Sequence, residues 1–470
     1  MRINHNSLAL NASDHFGRIN NNIAKSMERL SSGYKITSPA DDAAGLAISL
    51  KMNAQIRGLD RASLNSNDGI SVIESAEGGL AEIQSVLGRM RELAVQAAND
   101  VNSEEDHDAI QDEIDALRDE IDQIVETTAF NNQELLNGNL TRRSLSSAPS
   151  TVATYISDAV NVGVYELSIT ADAKQAVYQT GLAAGGVVSA EQAGSFTVNG
   201  FIIEISEGMT STEVYESLQE HLSKIGIDVY SSDDGGQTEC DFGTGSVYFV
   251  TKEYGSGQKI SIGVGNSELA AFLGINDGDK TYGKDCEASI IQTAEGFSTT
   301  ATLSTNGKEI NIIDRNGFQM KVDTTPGTGA LDTKIEVLSA GTLIVQTGAN
   351  SGEQLSIDIP SVSAESLKVD RLIMYTHEYA SQAVTLIDEA VKMVSGIRSK
   401  LGAYQNRLED VHDNLDAQEE SLTEAYSRIM DTDMAEEMTN YTQQDVLAQA
   451  AISMMQKSNE RPESILQLLQ

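Results

Sequence analysis

From Ile387 to Ile429 an apolar residue returns every seventh position without a gap, and few folds are compatible with that. The series is Ile387, Val394, Leu401, Leu408, Leu415, Leu422 and Ile429. Three residues after the first six members come Ala390, Ile397, Tyr404, Val411, Gln418 and Ala425, a second seam with one polar interruption at Gln418. Acidic residues, among them Glu409, Asp410, Asp413, Asp416, Glu419 and Glu424, fall off both seams. An ideal helix drifts out of a seven-residue register, so a strict register over this length predicts a coiled coil. A helix on the surface of a globular bundle would lose the strict repeat sooner.

A coiled-coil helix needs partners, and the first hundred residues supply one. Met52, Leu59, Ile73, Leu80 and Leu87 keep the same heptad, with Ser66 in the missing slot, and Ile56, Ile70, Ile83 and Met90 widen the stripe. Ser38-Pro39-Ala40-Asp41 reads as a helix start, with Ser38 as N-cap, Pro39 in the first helical position and an acid in the first turn. A helix over 39–98 would be about 90 Å long, and Gly58, Gly69, Gly78, Gly79 and Gly88 predict a break or bend within it. A third helix is expected over 104–128, with Ile110, Ile114, Leu117, Ile121 and Ile124 on one face. Asn131-Asn132 and Asn137-Gly138 close that region.

Glycine marks where the helical pattern stops. Of 38 glycines, 27 lie in 141–370, and the flanking regions are rich in Ala, Leu, Ile, Gln, Asn and Glu. A glycine-rich block between two helical ends is an inserted domain, with the ends folding together. The fold class is therefore α+β, with N- and C-terminal helices paired as a coiled-coil bundle and a β-rich outer insert. Three divisions are expected: an inner helical domain from 1–40 and 431–470, a heptad domain from 41–140 and 371–430, and a variable surface insert at 141–370. Within the insert, Phe196 and Val198, then Asn199-Gly200, then Ile202 reads as a hairpin with a type I′ turn. Asn306-Gly307 and Asn316-Gly317 bracket Ile310, Ile312 and Ile313. One or two small β-rich bodies with a short helix are expected there.

Charge narrows the function classes. The 470 residues carry 32 Lys and Arg against 70 Asp and Glu, net −38, which disfavours nucleic acid and anionic membrane as partners. No apolar run approaches the 18 residues or so of a membrane span, and the first residues lack the apolar core of a cleaved secretory signal. Residues 1–40 have a net charge of +3 and residues 431–470 of −5, which favours pairing the N-terminus with the C-terminus. The insert is net −17, as suits a solvated surface. Leu8, Ile19, Ile23, Met27 and Leu30 form one weak terminal stripe, and Val446, Leu447, Ala450, Met454 and Met455 another. Both are too short to stand alone in water, so each end is expected to be mobile in a free monomer and to order only against further copies.

Several stretches closely resemble bacterial flagellins. At the N-terminal side these are MERLSSGYKITSPADDAAGLAIS (27–49), NSNDGISVIESAEGGLAEI (65–83) and RMRELAVQAAND (89–100). At the C-terminal side they are LGAYQNRLEDVHDNL (401–415), SRIMDTDMAEEMTNYT (427–442) and ILQLLQ (465–470), with Leu466, Leu468 and Leu469 as its hydrophobic motif. FTVNGFIIEI (196–205), a short helix at 211–224 and IGIDVY (225–230) look like the small repeat often found inside flagellins and hook-associated proteins, and QTGANSGEQLSIDI (346–359) resembles their return to the helical region.

The resemblance implies a structural protein with no enzymatic activity and no cofactor. Such a subunit is exported unfolded by the flagellar type III apparatus and polymerised into a helical filament for motility outside the cell. Implied partners are further copies of the chain, an export chaperone bound by the last 40 residues or so, the filament cap and hook-associated proteins, and Toll-like receptor 5. For the receptor the resemblance points to Arg89, Leu93 and Glu113; Arg89 and Leu93, four apart, would put a charge beside an exposed apolar knob. Gly88 stands where the best-known binders carry Gln. Two alternatives share the terminal helices: a hook–filament junction protein, and a secreted adhesin or enzyme carried on flagellin ends.

Metal chemistry has little footing. Some flagellins carry a zinc protease in the insert, but the one His-Glu pair, His377-Glu378, has Ser381 where a second zinc-binding His would stand. Asp277, Asp279 and Asp285 have Tyr282 where a calcium loop needs glycine, so an acidic turn is the better reading. Cys240 and Cys286 are the two cysteines, and their separation of 46 residues leaves both a disulfide and two free thiols open.

Overall fold

The computed structural model describes residues 6–99, 101–157, 159–233, 238–292, 296–327, 329–338 and 341–468; the side chains of 316 and 461–468 are outside the description. Seven α-helices are present among these residues: α1 (Ser7–Ser32), α2 (Ala43–Ala97), α3 (Glu104–Thr127), α4 (Ser211–Lys224), α5 (Ser267–Leu273), α6 (His377–Met430) and α7 (Met434–Leu468). The remainder is strands and turns, an α+β architecture with long helices at both ends. The chain divides into two compact units. One holds 1–69, 346–355 and 407–470; the other holds 70–345 and 356–406. The helices α2 and α6 contribute to both.

In the first unit α1 and α7 pair antiparallel. Asn6 donates to the carbonyl of Ser458 at one end, and Arg29 meets Glu437 at 3.7 Å near the other. The opposite net charges of the two termini therefore meet within one chain. Gly33 ends α1 in the left-handed conformation (φ 76°) that favours glycine. The chain then returns the hydrogen bonds of the other terminus, Lys35 N to Met430 O at 2.6 Å and Thr432 N to Gly33 O at 2.9 Å. Each terminal helix thus packs against the other within one chain.

The start of α2 differs from the predicted cap. The hydroxyl and backbone N–H of Ser38 both bond to Asp41, closing a tight turn instead of opening a helix. Asp42 then accepts from Ala44 N and Gly45 N and serves as the cap. The predicted break in α2 is absent, and the glycines answer another need. A Cβ on Gly58 would stand 2.8 Å from that of Ala349, and one on Gly79 would stand 2.5 Å from the Thr128 hydroxyl. Both positions permit close approach of a neighbouring segment, which offsets the roughly 1 kcal/mol propensity cost of glycine in a helix.

The seam buries most of its predicted members. Ile387, Val394, Leu401 and Leu408 are fully inaccessible and Leu415 nearly so, whereas Leu422 and Ile429 are half-buried. Gln418 is exposed and bonds to Asn414, so the polar interruption costs no buried amide. In the first unit Leu415 packs with Leu59 and Ala62, flanked by Ala349, Val411 and Leu422. Ser66, in the missing heptad slot, is buried and returns its hydroxyl to Ala62 O at 2.9 Å, which satisfies the buried oxygen. Beside it Ser63 Oγ lies 2.8 Å from His412 Nδ1 and 3.0 Å from Asp416 Oδ1.

In the second unit α2 and α6 run antiparallel, tied by Arg91 to Asp388 at 2.7 Å and by Arg398 to Glu77. Ser103 and Asp106 form a reciprocal capping box at the start of α3. The buried face of α3 is Ile110, Ile114, Ile121 and Val125; Leu117 and Ile124 are half-buried, so the stripe turns by one residue at its end.

The insert forms two hydrophobic cores within that unit. The first lies among two antiparallel sheets and helices α4 and α5. Its three-stranded sheet runs Gln175–Thr180, Ser246–Tyr254, Ile227–Ser232, and its four-stranded sheet Lys280–Tyr282, Lys259–Val264, Gly194–Val198, Phe201–Ile205. The Asn199-Gly200 turn is of the predicted type: both φ values are positive (53° and 83°), and Val198 pairs with Phe201. The second core lies between two four-stranded antiparallel sheets. One runs Glu287–Ile291, Gly163–Ala171, Leu331–Val337, Ser144–Ser146; the other runs Thr302–Asn306, Glu309–Ile313, Gln319–Thr324, Thr151–Ile156. Phe297, Phe318 and Tyr165 fill it with tilted and edge-on ring contacts.

Candidate interaction surfaces

Pairing α1 with α7 leaves apolar side chains outside. Leu8, Leu10 and Met27 on α1 stay exposed, as do Met438, Val446 and Met454 on α7. They are spread around both helices rather than along one face, Leu8 and Leu10 standing about 200° apart on α1, so the pair keeps an apolar surface on more than one side. Its methionines are unbranched and flexible, suited to packing against more than one neighbour shape. The motif Leu466, Leu468 and Leu469 lies outside the described residues, Leu466 and Leu468 by their side chains and Leu469 altogether.

The second surface is on α2 and α3 of the other unit. Arg89 presents Nε at 3.0 Å and Nη2 at 2.7 Å to Glu113 Oε1, with Glu92 at 3.2 Å from Nη1. These bonds, Glu113 first, hold the guanidinium above its ordinary pKa, so it is charged at every working pH. Both Arg89 and Glu113 are about half exposed. Leu93 departs from the expected knob: only 2 % of it is accessible, and its side chain belongs to the interior. The reason is the stripe itself, since Val86, Met90, Leu93 and Ala97 continue the buried face at spacings of four, three and four. The exposed apolar residue of this stretch is Val95, which has no heptad neighbour and went unread in the sequence. A Cβ on Gly88 would meet nothing within 4 Å, so a side chain there has room.

The remaining candidates separate. Cys240 and Cys286 are free thiols: Cys286 is buried in the second insert core, and Cys240 pairs through its backbone with Ser231. The structure therefore holds two free thiols and no disulfide between them. Burial first, and then Asp285, push the Cys286 thiol up to about 11. Asp277, Asp279 and Asp285 each brace a different turn, accepting from Val264 N, the Tyr178 hydroxyl and Ser256 N respectively, and do not converge. Among the described residues no group of three or more His, Cys, Asp or Glu is placed to hold a metal ion. No helix of the described residues is long and apolar enough to cross a membrane.

Helical ends that pair with each other, keep apolar side chains exposed and bracket a β-rich insert define a structural subunit made to associate with its own kind. Residues 3–141 match the bacterial flagellin N-terminal helical region and residues 384–469 the bacterial flagellin C-terminal helical region. A flagellin of Clostridium tyrobutyricum is 35 % identical over 462 residues, covering 98 % of this chain and all of that one. Polar flagellin A of Vibrio parahaemolyticus is 30 % identical over 478 residues, covering the whole of this chain and 99 % of the relative. Among solved structures, flagellar hook-associated protein-3 of Legionella pneumophila matches 80 % of this chain and 98 % of its own at 15 % identity, with a TM-score of 0.31. The chain belongs to the bacterial flagellin family. It is a subunit of the flagellar filament, an extracellular structure of motility.

Proposed function

We propose that the filament is built through the α1–α7 pair, and that the apolar side chains this pair leaves exposed are where further copies dock. The observation that carries the reading is that Leu8, Leu10, Met438, Val446 and Met454 remain exposed after the two helices have packed. Contacts of this kind between unlike patches, repeated without closing, give an open helical polymer. On this reading 1–40 with 431–470 form the inner domain, 41–140 with 371–430 the heptad domain, and 141–370 the outer surface. The chain travels unfolded through the flagellar type III apparatus, its last forty residues or so are held by an export chaperone before that, and cap and hook-associated proteins contact the ends of the filament. Deleting residues 431–470 is expected to abolish polymerisation and chaperone capture together. Negative-stain microscopy under polymerising conditions and a pull-down with the chaperone check it; filaments of normal length from the truncated chain would sink the proposal.

The free monomer is further read as a ligand of Toll-like receptor 5, contacted through Arg89 and Glu113. The support is the RMRELAVQAAND stretch together with the exposed, pre-formed Arg89–Glu113 pair. A titration of monomer against receptor ectodomain is expected to show loss of affinity for Arg89→Ala. If Arg89→Ala binds as the parent does, the contact is elsewhere. If the parent itself fails to bind, Gly88→Gln, for which the surface has room, should restore affinity.

A further inference from the structure

The terminal helix pair gathers oxidisable side chains. Six of the 13 methionines lie in 1–40 and 431–470, about a sixth of the length, while Trp is absent from the sequence and both cysteines, Cys240 and Cys286, belong to the insert. Among the described residues four methionines keep more than a third of their surface accessible, and all four are on α1 or α7: Met27 (54 %), Met434 (49 %), Met438 (49 %) and Met454 (66 %). Elsewhere Met90, Met320 and Met374 are wholly inaccessible, and Met430 nearly so. Position adds to exposure. Met434 and Met438 are one helical turn apart and flank Glu437, which meets Arg29; Met27 stands two residues before that arginine. Met454 lies one turn before Ser458, whose carbonyl accepts from Asn6 at the other end of the pair. Thioethers therefore stand at both ends of the surface on which, in the function proposed above, further copies dock.

A thioether needs no deprotonation to react. Hydrogen peroxide transfers one oxygen atom to it: the O–O bond breaks, an S–O bond forms, sulfur gives up two electrons, and the peroxide leaves as water. The sulfoxide is polar and chiral, and its oxygen accepts hydrogen bonds while the group donates none. Pressed against an apolar neighbour, that oxygen loses its water and gains no donor in exchange, which opposes burial. A flexible apolar contact thus becomes one that resists being covered. A dithiol reverses the change, since it takes up the oxygen as water and is itself oxidised to a disulfide.

We propose that Met27, Met434, Met438 and Met454 are modification sites for peroxide, that their oxidation bars the free subunit from the filament until it is reversed, and that incorporation shields them. This rests on the docking role given to the α1–α7 pair. The test treats the intact monomeric chain with hydrogen peroxide at a dose that leaves Met90, Met320 and Met374 intact. Peptide mass spectrometry locates the sulfoxides, and light scattering follows seeded polymerisation. The four exposed methionines are expected to oxidise at least about tenfold faster than the three buried ones, and polymer yield to fall about fivefold or more. Dithiothreitol with the two methionine sulfoxide reductases, one for each epimer, should restore the yield. Met27→Leu, Met434→Leu, Met438→Leu and Met454→Leu combined should polymerise and keep their yield under the same dose, because leucine is close in volume and takes up no oxygen. In preformed filaments the four methionines should oxidise about tenfold more slowly than in the monomer. Normal polymerisation by monomer carrying sulfoxide at all four positions would overturn the proposal. So would equal oxidation in monomer and filament, a yield that reduction does not restore, or a peroxide-sensitive leucine variant. Should the leucine variant fail to polymerise before any peroxide is added, the oxidation and reduction of the parent decide alone. Leu8→Asn with Val446→Asn separates the switch from the docking role. If that variant stays monomeric while the oxidised parent polymerises, only the switch is lost; if both polymerise, the docking role is lost with it.

Discussion

Leu93 and Arg89 are four residues apart on α2, and the structure gives them opposite fates. Arg89 points to solvent and is held by Glu113; Leu93 is interior. Substituting each should therefore read out differently. Leu93→Ala empties a packed site and is expected to cost about 2–5 kcal/mol of stability, seen as a fall in melting temperature. Arg89→Ala should leave the melting temperature close to the parent's and act only on receptor affinity. A stable Leu93→Ala would show that its side chain is not packed as described. The two thiols make a second residue-scale test. With its pKa at about 11, Cys286 is thiolate to only about one part in a thousand at pH 8, and it is buried as well. Iodoacetamide is expected to label Cys240 alone in the native protein and both thiols in denaturant. Rapid native labelling of both would contradict the burial of Cys286. Neither contrast was legible in the sequence. The spacing of Arg89 and Leu93 is equally consistent with a shared exposed face, and two cysteines in one insert show nothing of which core each joins.

Among the elements, α6 carries the clearest written signal and also shows where such a signal fades. The heptad extends to Ile429, yet full burial stops near Leu415. Periodicity reports which side chains share a face; how deep that face is buried depends on what covers it. Leu408 lies in the fully buried part. Leu408→Asp places a carboxylate where no partner waits, at a cost of several kcal/mol or separation of the helices to hydrate it. Leu408→Ala should cost about 3 kcal/mol. Thermal unfolding is expected to rank parent above alanine above aspartate, and an unchanged melting temperature for the aspartate would remove Leu408 from the seam. The start of α3 gives a pH test. Bonds from the Ser103 backbone and hydroxyl hold the Asp106 carboxyl below its ordinary value of 3.8. A depressed acid contributes stability that is present above the unfolded pKa and lost as pH falls through the folded one. The stability gap between the parent and Asp106→Asn is thus expected to be full near neutral pH and to close as pH falls through and below the ordinary carboxylate range. A gap that widens on acidification would contradict the capping box.

For the whole molecule, the consequence of two compact units is that damage at the ends need not reach the insert. Removing 431–470 deletes α7 and leaves α1 without its partner, but removes no residue of 70–345 or 356–406. Circular dichroism of that truncation is expected to keep the α2, α3 and α6 signal and a cooperative melt while polymerisation is lost; a wholly unfolded product would show that the terminal pair holds the rest together. Helix periods, turn dipeptides and the charge contrast of the termini were written in the sequence, because each is a local pattern read over a few residues. The heptads of α2 and α6, the stripe of α3 and the Asn199-Gly200 hairpin are all of this kind. Other features needed the fold. Gly58 and Gly79 were read as weak points of a helix until Ala349 and Thr128 were seen to press against them. Ser38 yielded the cap to Asp42, because Asp41 drew both of its donors into a turn. Close approach is a relation between segments remote in the chain, and which of two neighbouring acids takes the cap depends on the path the backbone follows there, so only the folded structure could decide either.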